Sequence, residues 1–174
     1  MFKELKTLKP FFEEPNKEFN VREVSRLLKI APATASKELK SLSKIGILKD
    51  RKERMLNLYK SNLENSLYKD LKIFYSIRKI KESGLVDSLN NFYLRPTIIL
   101  FGSSAYGTDT ETSDLDIVIL SEKTKDFSET NKFEKKLNKK IQFFILKDIK
   151  DLRNDHLINN VINGIIIQGK VKWI

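Results

Sequence analysis

The sequence predicts an α+β chain of two parts joined by a long helix, and three observations carry that expectation. Residues 62–83 contain neither Gly nor Pro, and Leu63, Leu67, Leu71, Phe74 and Ile77 recur in steps of four and three, the spacing of one helix face. Before this stretch lie short amphipathic segments and a charged turn; after it, short apolar runs alternate with helical patterns. Charge is also divided unequally. Residues 1–60 hold 15 Lys+Arg against 8 Asp+Glu, whereas residues 96–174 hold 12 against 11. Most of the net charge of +10 therefore sits in the first third, which makes that part the candidate for a polyanion. The expected boundaries are 1–60, 61–84 and 85–174.

The length of 174 residues suits one medium domain or two small ones, and 40% hydrophobic residues suffice for ordinary cores. No run approaches the roughly 18 apolar residues of a membrane span. The opening MFKELKTLKPFFEE mixes charges with apolar residues and does not read as a secretory signal. There is no cysteine, so disulfides, thiolate zinc sites and cysteine nucleophiles are excluded, and the cytoplasm is the default expectation. His156 is the single histidine, which argues against His-rich metal sites and a Ser-His-Asp triad; it reads as a surface residue.

Along the first third, Phe2, Leu5, Leu8, Phe11 and Phe12 mark an amphipathic helix, broken at Pro15-Asn16. Val21, Val24, Leu27 and Leu28 give a second, short helix. Lys29-Ile30-Ala31 is a tight connection, and Pro32 suits the first turn of a third helix, where a missing N–H costs nothing. Ala35, Leu39 and Leu42 form its apolar stripe, and Gly46 ends it. Residues 47–60 read as a β-hairpin around a charged turn, Lys49-Asp50-Arg51-Lys52-Glu53-Arg54.

Helix, short turn, helix, glycine and basic hairpin together resemble the winged helix-turn-helix of MarR- and ArsR-type regulators. The resemblance implies that the helix from Pro32 enters a DNA major groove. Thr34, Ser36, Lys37, Lys40, Ser41 and Lys44 lie opposite its apolar stripe, where they would meet bases and phosphates, and Arg51, Lys52 and Arg54 would reach the flanking backbone or a minor groove. The long helix that follows would pack on the next domain or pair with a second copy of the chain. Ser83-Gly84 ends it, and Leu85, Leu89 and Phe92 suggest a further short helix before Pro96.

In the last part, Thr97–Phe101 is a short apolar run bounded by Pro96 and Gly102, hence a buried strand, and Asp116–Leu120 is a second. Strand alternation puts Asp114 and Asp116 on one face. Two carboxylates there repel unless a cation sits on them, and oxygen ligands of this kind suit Mg²⁺, which usually brings phosphates with it. Gly102 and Ser103, at the end of the preceding strand, supply backbone N–H groups and a hydroxyl for phosphate oxygens. A helix at about 127–138, a strand Ile141–Leu146, a helix at about 148–163 and a last segment Gly164-Ile165-Ile166-Ile167 follow.

Gly102-Ser103, ten residues, then Asp114-Leu115-Asp116 resembles the GS-x10-DxD pattern of minimal nucleotidyltransferases of the DNA polymerase beta superfamily; Gly107 and Ser113 add to the likeness. The resemblance implies a mixed sheet and metal-assisted transfer of a nucleoside monophosphate. Mg²⁺ (or Mn²⁺) would be held by Asp114 and Asp116, and the outer phosphates of an NTP, ATP above all, by Ser103 and the Gly102 backbone. It also implies a third carboxylate on the later strand, but KKIQFFIL places Gln142 there, and an amide is a neutral ligand and a poor base. The Arg that the family often carries two residues before Gly107 is absent as well; Ala105-Tyr106 occupy that region.

Two readings follow. The intact Gly102/Ser103/Asp114/Asp116 set favours an enzyme that transfers an NMP to a protein or nucleic-acid hydroxyl while the winged helix holds nucleic acid. Some members of this family act as antitoxins that modify HEPN toxins, so a toxin-like partner belongs to this reading. Gln142 favours the other, a DNA-binding regulator whose second domain binds nucleotide without turnover. Lys139 and Lys140 read first as a solvated turn and only second as phosphate contacts, and Trp173 as packing on the sheet or, if exposed, as a partner surface.

Overall fold

A computed structural model describes residues 3–171, so Phe2 and Trp173 of the expectations above lie outside the described residues. The chain divides into two compact units, residues 1–75 and 76–174. Among the described residues no helix is long and apolar enough to cross a membrane.

The first unit opens with α1 (Lys3–Glu13) and β1 (Phe19–Asn20), continues through α2 (Val21–Leu28) and α3 (Pro32–Lys44), and closes with the hairpin β2 (Leu48–Glu53) and β3 (Leu56–Ser61). The three strands form an antiparallel sheet in the order β1-β3-β2. Asn20 starts α2 through a capping box. Its side chain accepts from the N–H groups of Arg22 and Glu23 (2.9 and 3.1 Å), while Glu23 accepts from its N–H (2.8 Å). Lys29, at φ 54°, turns the chain out of α2, and Ser25 donates to the Ile30 carbonyl across that turn (2.7 Å). Pro32 occupies the first turn of α3. One core gathers these elements: Leu5, Leu8, Phe11, Phe12, Phe19, Val24, Leu28, Ala35, Leu39, Leu42 and Tyr59 are all buried. The Phe11 carbonyl is an acceptor that α1 cannot serve. Its helical partner would be the N–H of residue 15, which is Pro15 and has none. Ser61 and Tyr68 each donate a hydroxyl to it instead (2.8 Å).

Three expectations for this part are corrected. Leu27 is exposed, and the inner face of α2 is Val24, Ser25 and Leu28. The charged residues 49–53 are strand β2 rather than the turn, which is Arg54-Met55. Their strand state comes from pairing with β3 along the whole of β2 (Leu48↔Ser61 to Glu53↔Leu56), not from alternating burial. The long helix, α4, runs Ser66–Glu82, with Leu63 in the turn before it. Leu67 and Phe74 are exposed, while Tyr68, Lys72 and Ile80 are the buried side chains. The division between the two units falls inside this helix.

The second unit continues with α5 (Leu85–Tyr93), β4 (Thr97–Phe101), a 3₁₀ turn (Gly102–Ser104), β5 (Leu115–Leu120), α6 (Thr130–Leu137), β6 (Ile141–Leu146), a second 3₁₀ turn (Ile149–Asp151), α7 (Asp155–Ile162) and β7 (Ile165–Gln168). β5 thus begins one residue before the expected strand. The expected 127–138 helix is shorter, and the expected 148–163 helix splits, because Asp148 caps a 3₁₀ turn and Asn154 caps α7 separately.

The sheet is mixed, in the order β6-β5-β4-β7, with β5 parallel to β6 and β4 antiparallel to both neighbours. Its two central strands are covered on both faces, which explains their unbroken apolar runs. Ile98, Leu100, Ile117 and Ile119 pack with Leu85 and Leu89 of α5 and with Phe133 and Leu137 of α6. Ile99, Phe101 and Val118 pack with Ile149, Leu152 and Val161 on the other side.

Candidate functional site

Register brings Asp116 and Gln142 to one end of this sheet. Phe101 pairs with Asp116, and Asp116 pairs with Gln142, so the three lie side by side on β4, β5 and β6. Asp116 and Gln142 share a face with Val118 and Phe144, and they form the polar end of an otherwise apolar surface. Asp114 lies just before β5 and is exposed; Asp116 is half-buried.

The turn after β4 sets the approach to this pair. Gly102 sits at φ 68°, a conformation that favours glycine, and a Cβ there would collide with Asp116 Oδ2 and stand 3.2 Å from its Cγ. Glycine therefore lets the backbone come right up to the carboxylate. The turn is closed by Ala105 N–H donating to the Gly102 carbonyl (3.0 Å) and by the N–H groups of Tyr106 and Thr108 donating to the Ser103 carbonyl (3.2 and 3.0 Å). The Ser104 hydroxyl is buried with no hydrogen-bond partner in the structure.

Burial pushes the Asp116 carboxyl above its ordinary range; repulsion from Asp114 adds to the rise, and attraction to Lys139 opposes it. A raised carboxylate holds its proton in the native state where the unfolded chain has lost it. Its charged form thus costs stability; the cost grows as pH climbs from the ordinary carboxylate value to the raised one and is constant above it. Asp116→Asn should therefore melt at a higher temperature than the parent near neutral pH without divalent metal. The advantage should disappear in acid, below the ordinary carboxylate range. Thermal melts across pH check both signs.

The donor set fits a hard divalent cation. It offers carboxylate oxygens, no sulfur or imidazole, and room at Asp116 that Gly102 keeps clear. Among the described residues there is no group of three or more His, Cys, Asp or Glu able to hold a metal, in keeping with Gln142 beside Asp116.

One cluster escaped the sequence reading. Lys139 is not a solvated turn residue. Its ammonium pairs with Asp109 Oδ2 (2.6 Å) and donates to the carbonyls of Thr110 and Ser113 (3.0 and 3.4 Å). Asp109 and Lys139 are thirty residues apart, and no pattern in the sequence links them. Lys140 is exposed, 3.9 Å from Glu134.

In the first unit, Lys37, Lys40, Ser41 and Lys44 form the exposed face of α3, with Thr34 and Ser36 half-buried beside them. Lys52 and Arg54 are exposed on the hairpin. Arg51 is engaged: its Nε and Nη2 donate to Glu18 (2.7 and 2.6 Å), and its Nη1 pairs with Glu53 (2.6 Å). Both carboxylates strengthen the hold of Arg51 on its proton, and Arg51 in turn lowers the Glu18 carboxyl.

Residues 84–167 match the family model described as nucleotidyltransferase domain. The matched span includes Gly102, Ser103, Asp114, Asp116 and Gln142. It supports transfer of nucleoside monophosphates in general, with the divalent-metal and NTP dependence general to that family. No curated protein matches the chain.

Proposed function

We propose that the second unit transfers a nucleoside monophosphate, AMP first among them, from an NTP to a hydroxyl of protein or nucleic acid, and that the first unit holds the chain on DNA. The observation that carries the reading is the Asp114/Asp116 pair beside the positive-φ Gly102, whose missing Cβ leaves the carboxylate open to a ligand. Asp114 and Asp116 would hold Mg²⁺ or Mn²⁺. When bound, such an ion neutralises phosphate charge and favours in-line displacement. Ser103 and the backbone of the Gly102–Ser104 turn would hold the outer phosphates. A bond forms between the acceptor oxygen and the α-phosphorus as the α–β bridging bond breaks. Pyrophosphate leaves and the acceptor proton passes to solvent. Positioning and charge do most of this work, so the lack of a cysteine and of a histidine in the site is no obstacle. One form of the reading is an antitoxin that modifies a HEPN-type toxin.

DNA attachment is supported by the α2–turn–α3 arrangement, the exposed Lys37/Lys40/Lys44 face and the exposed Lys52 and Arg54. Each phosphate contact contributes about 0.9 to the slope of log K against log salt on duplex DNA. Lys37→Ala with Lys40→Ala should therefore weaken duplex binding and flatten that slope by roughly 1.8 in a salt titration. An unchanged slope would remove α3 from the interface.

A second reading is favoured by Gln142, which gives Asp116 a neutral neighbour. Here the chain is a DNA-binding regulator whose second unit binds nucleotide without turnover. Gln142→Glu separates the two. On the enzyme reading it restores a base beside Asp116 and should speed NMP transfer by about a hundredfold, the low end for a positioned base. Transfer by neither the parent nor this variant, with nucleotide-dependent DNA retention, would establish the regulator.

A further inference from the structure

We infer that Lys139 is a positioning residue for the metal-binding pair: pinned by Asp109, its ammonium fixes the loop that presents Asp114. The inference rests on the reading that Asp114 and Asp116 hold a divalent cation. It concerns a part of the site that the Gly102/Ser103/Asp114/Asp116 motif does not contain.

Between the 3₁₀ turn at Gly102–Ser104 and β5 the chain runs through residues 105–114 without helix or strand. Such a segment has no ladder to place Asp114, and its local bonds tie it mainly to itself and to the turn before it. Thr108 N–H donates to the Ser103 carbonyl (3.0 Å), Thr110 N–H to the Ser113 hydroxyl (2.9 Å) and Ser113 N–H to the Thr110 carbonyl (3.2 Å). An ammonium has three donors. Lys139 directs its own at Asp109 Oδ2, the Thr110 carbonyl and the Ser113 carbonyl, three points along this one loop.

The last of these belongs to the residue before Asp114. The N–H of the residue after it, Leu115, donates to the Lys140 carbonyl (2.8 Å). The Lys139-Lys140 turn thus holds the chain on both sides of Asp114. The same turn leads straight into β6, the strand that places Gln142 beside Asp116. The Asp109 side chain is 3% exposed and that of Lys139 is 18%. Water therefore offers little substitute for either partner, and the geometry is held rather than sampled. Lys139 does not touch a ligand on this account; it acts through the loop.

Positioning and bare charge predict opposite signs. As a nearby positive charge alone, Lys139 would repel a divalent cation, and removing it would tighten binding. As the brace of the loop, its removal should weaken binding by roughly ten- to a hundredfold, the range for groups that orient metal ligands.

The test is Mn²⁺ binding to the full chain, read by the electron paramagnetic resonance of free Mn²⁺, for the parent, Lys139→Met, Lys139→Arg and Asp114→Ala with Asp116→Ala. Circular dichroism confirms folding. Lys139→Met should bind Mn²⁺ more weakly than the parent. Lys139→Arg keeps the charge, but its planar fork cannot send three bonds from one nitrogen, so it too should bind more weakly; it serves as the test if Lys139→Met does not fold. Unchanged or tighter binding in a folded Lys139 variant would overturn the inference and leave the site reading standing. Absence of Mn²⁺ binding in the parent, or its survival in the double Asp variant, would overturn the site reading itself and the inference with it.

Discussion

Asp114→Ala with Asp116→Ala should remove the stabilisation that Mn²⁺ and ATP give the chain, and with it all NMP transfer. A ligand at roughly a hundredfold above its dissociation constant stabilises the native state by about 2.7 kcal/mol, and in the double variant that gain should fall to near zero in a thermal-shift assay. On the proposed reading each carboxylate would supply charged oxygen ligands, and the β6 neighbour of Asp116, the amide of Gln142, is neutral. On that reading loss of the ion would withdraw several kcal/mol of charge stabilisation from the phosphoryl group. At about 1.36 kcal/mol per factor of ten, that amounts to a thousandfold or more in rate. The metal-free variant should be no less stable than the parent, since it loses a carboxyl raised first by burial and then by repulsion from Asp114.

Gly102→Ala should separate stability from function. The φ of 68° costs an alanine about 1–2 kcal/mol, a modest fall in melting temperature. The new Cβ would also collide with Asp116 Oδ2. That oxygen is the end of a side chain that can swing away, so the fold survives while the carboxylate leaves its place. The expected outcome is a folded protein whose stabilisation by Mn²⁺ and ATP is largely lost. A variant that is destabilised yet responds fully to both would show that the close approach of Gly102 to Asp116 plays no part in binding.

Much of the architecture was legible because burial wrote it into the residues. Thr97–Phe101 and Leu115–Leu120 stand between two apolar layers, so their runs are nearly continuous and hard to mistake. The stripe Ala35, Leu39 and Leu42 is buried as its spacing requires. The expectation failed where pairing or amphipathic side chains decide. Strand β2 carries Lys49-Asp50-Arg51-Lys52-Glu53 with no apolar alternation, and only its ladder with β3 makes it a strand. In α4 the periodic leucines point one way, but the chain buries Tyr68 and Lys72, whose long side chains hide apolar stems, and leaves Leu67 and Phe74 exposed.

The candidate site divides in the same way. Gly102, Ser103, Asp114 and Asp116 announce themselves by type and spacing. Asp109 and Lys139 do not, because their partnership exists only once β6 lies beside β5. Arg51 looked like a free cation until the fold set Glu18 and Glu53 against it.

Labelled nucleotide shows whether the second unit moves a nucleoside monophosphate. The most direct measurement incubates the chain, Mg²⁺ or Mn²⁺ and candidate acceptors with ATP radiolabelled at either the α or the γ phosphorus. α-Label should become covalently attached to an acceptor, γ-label should leave as pyrophosphate, and both events should stop in Asp114→Ala with Asp116→Ala. Attachment of γ-label, or transfer of α-label that persists in the double variant, would contradict the proposed transfer.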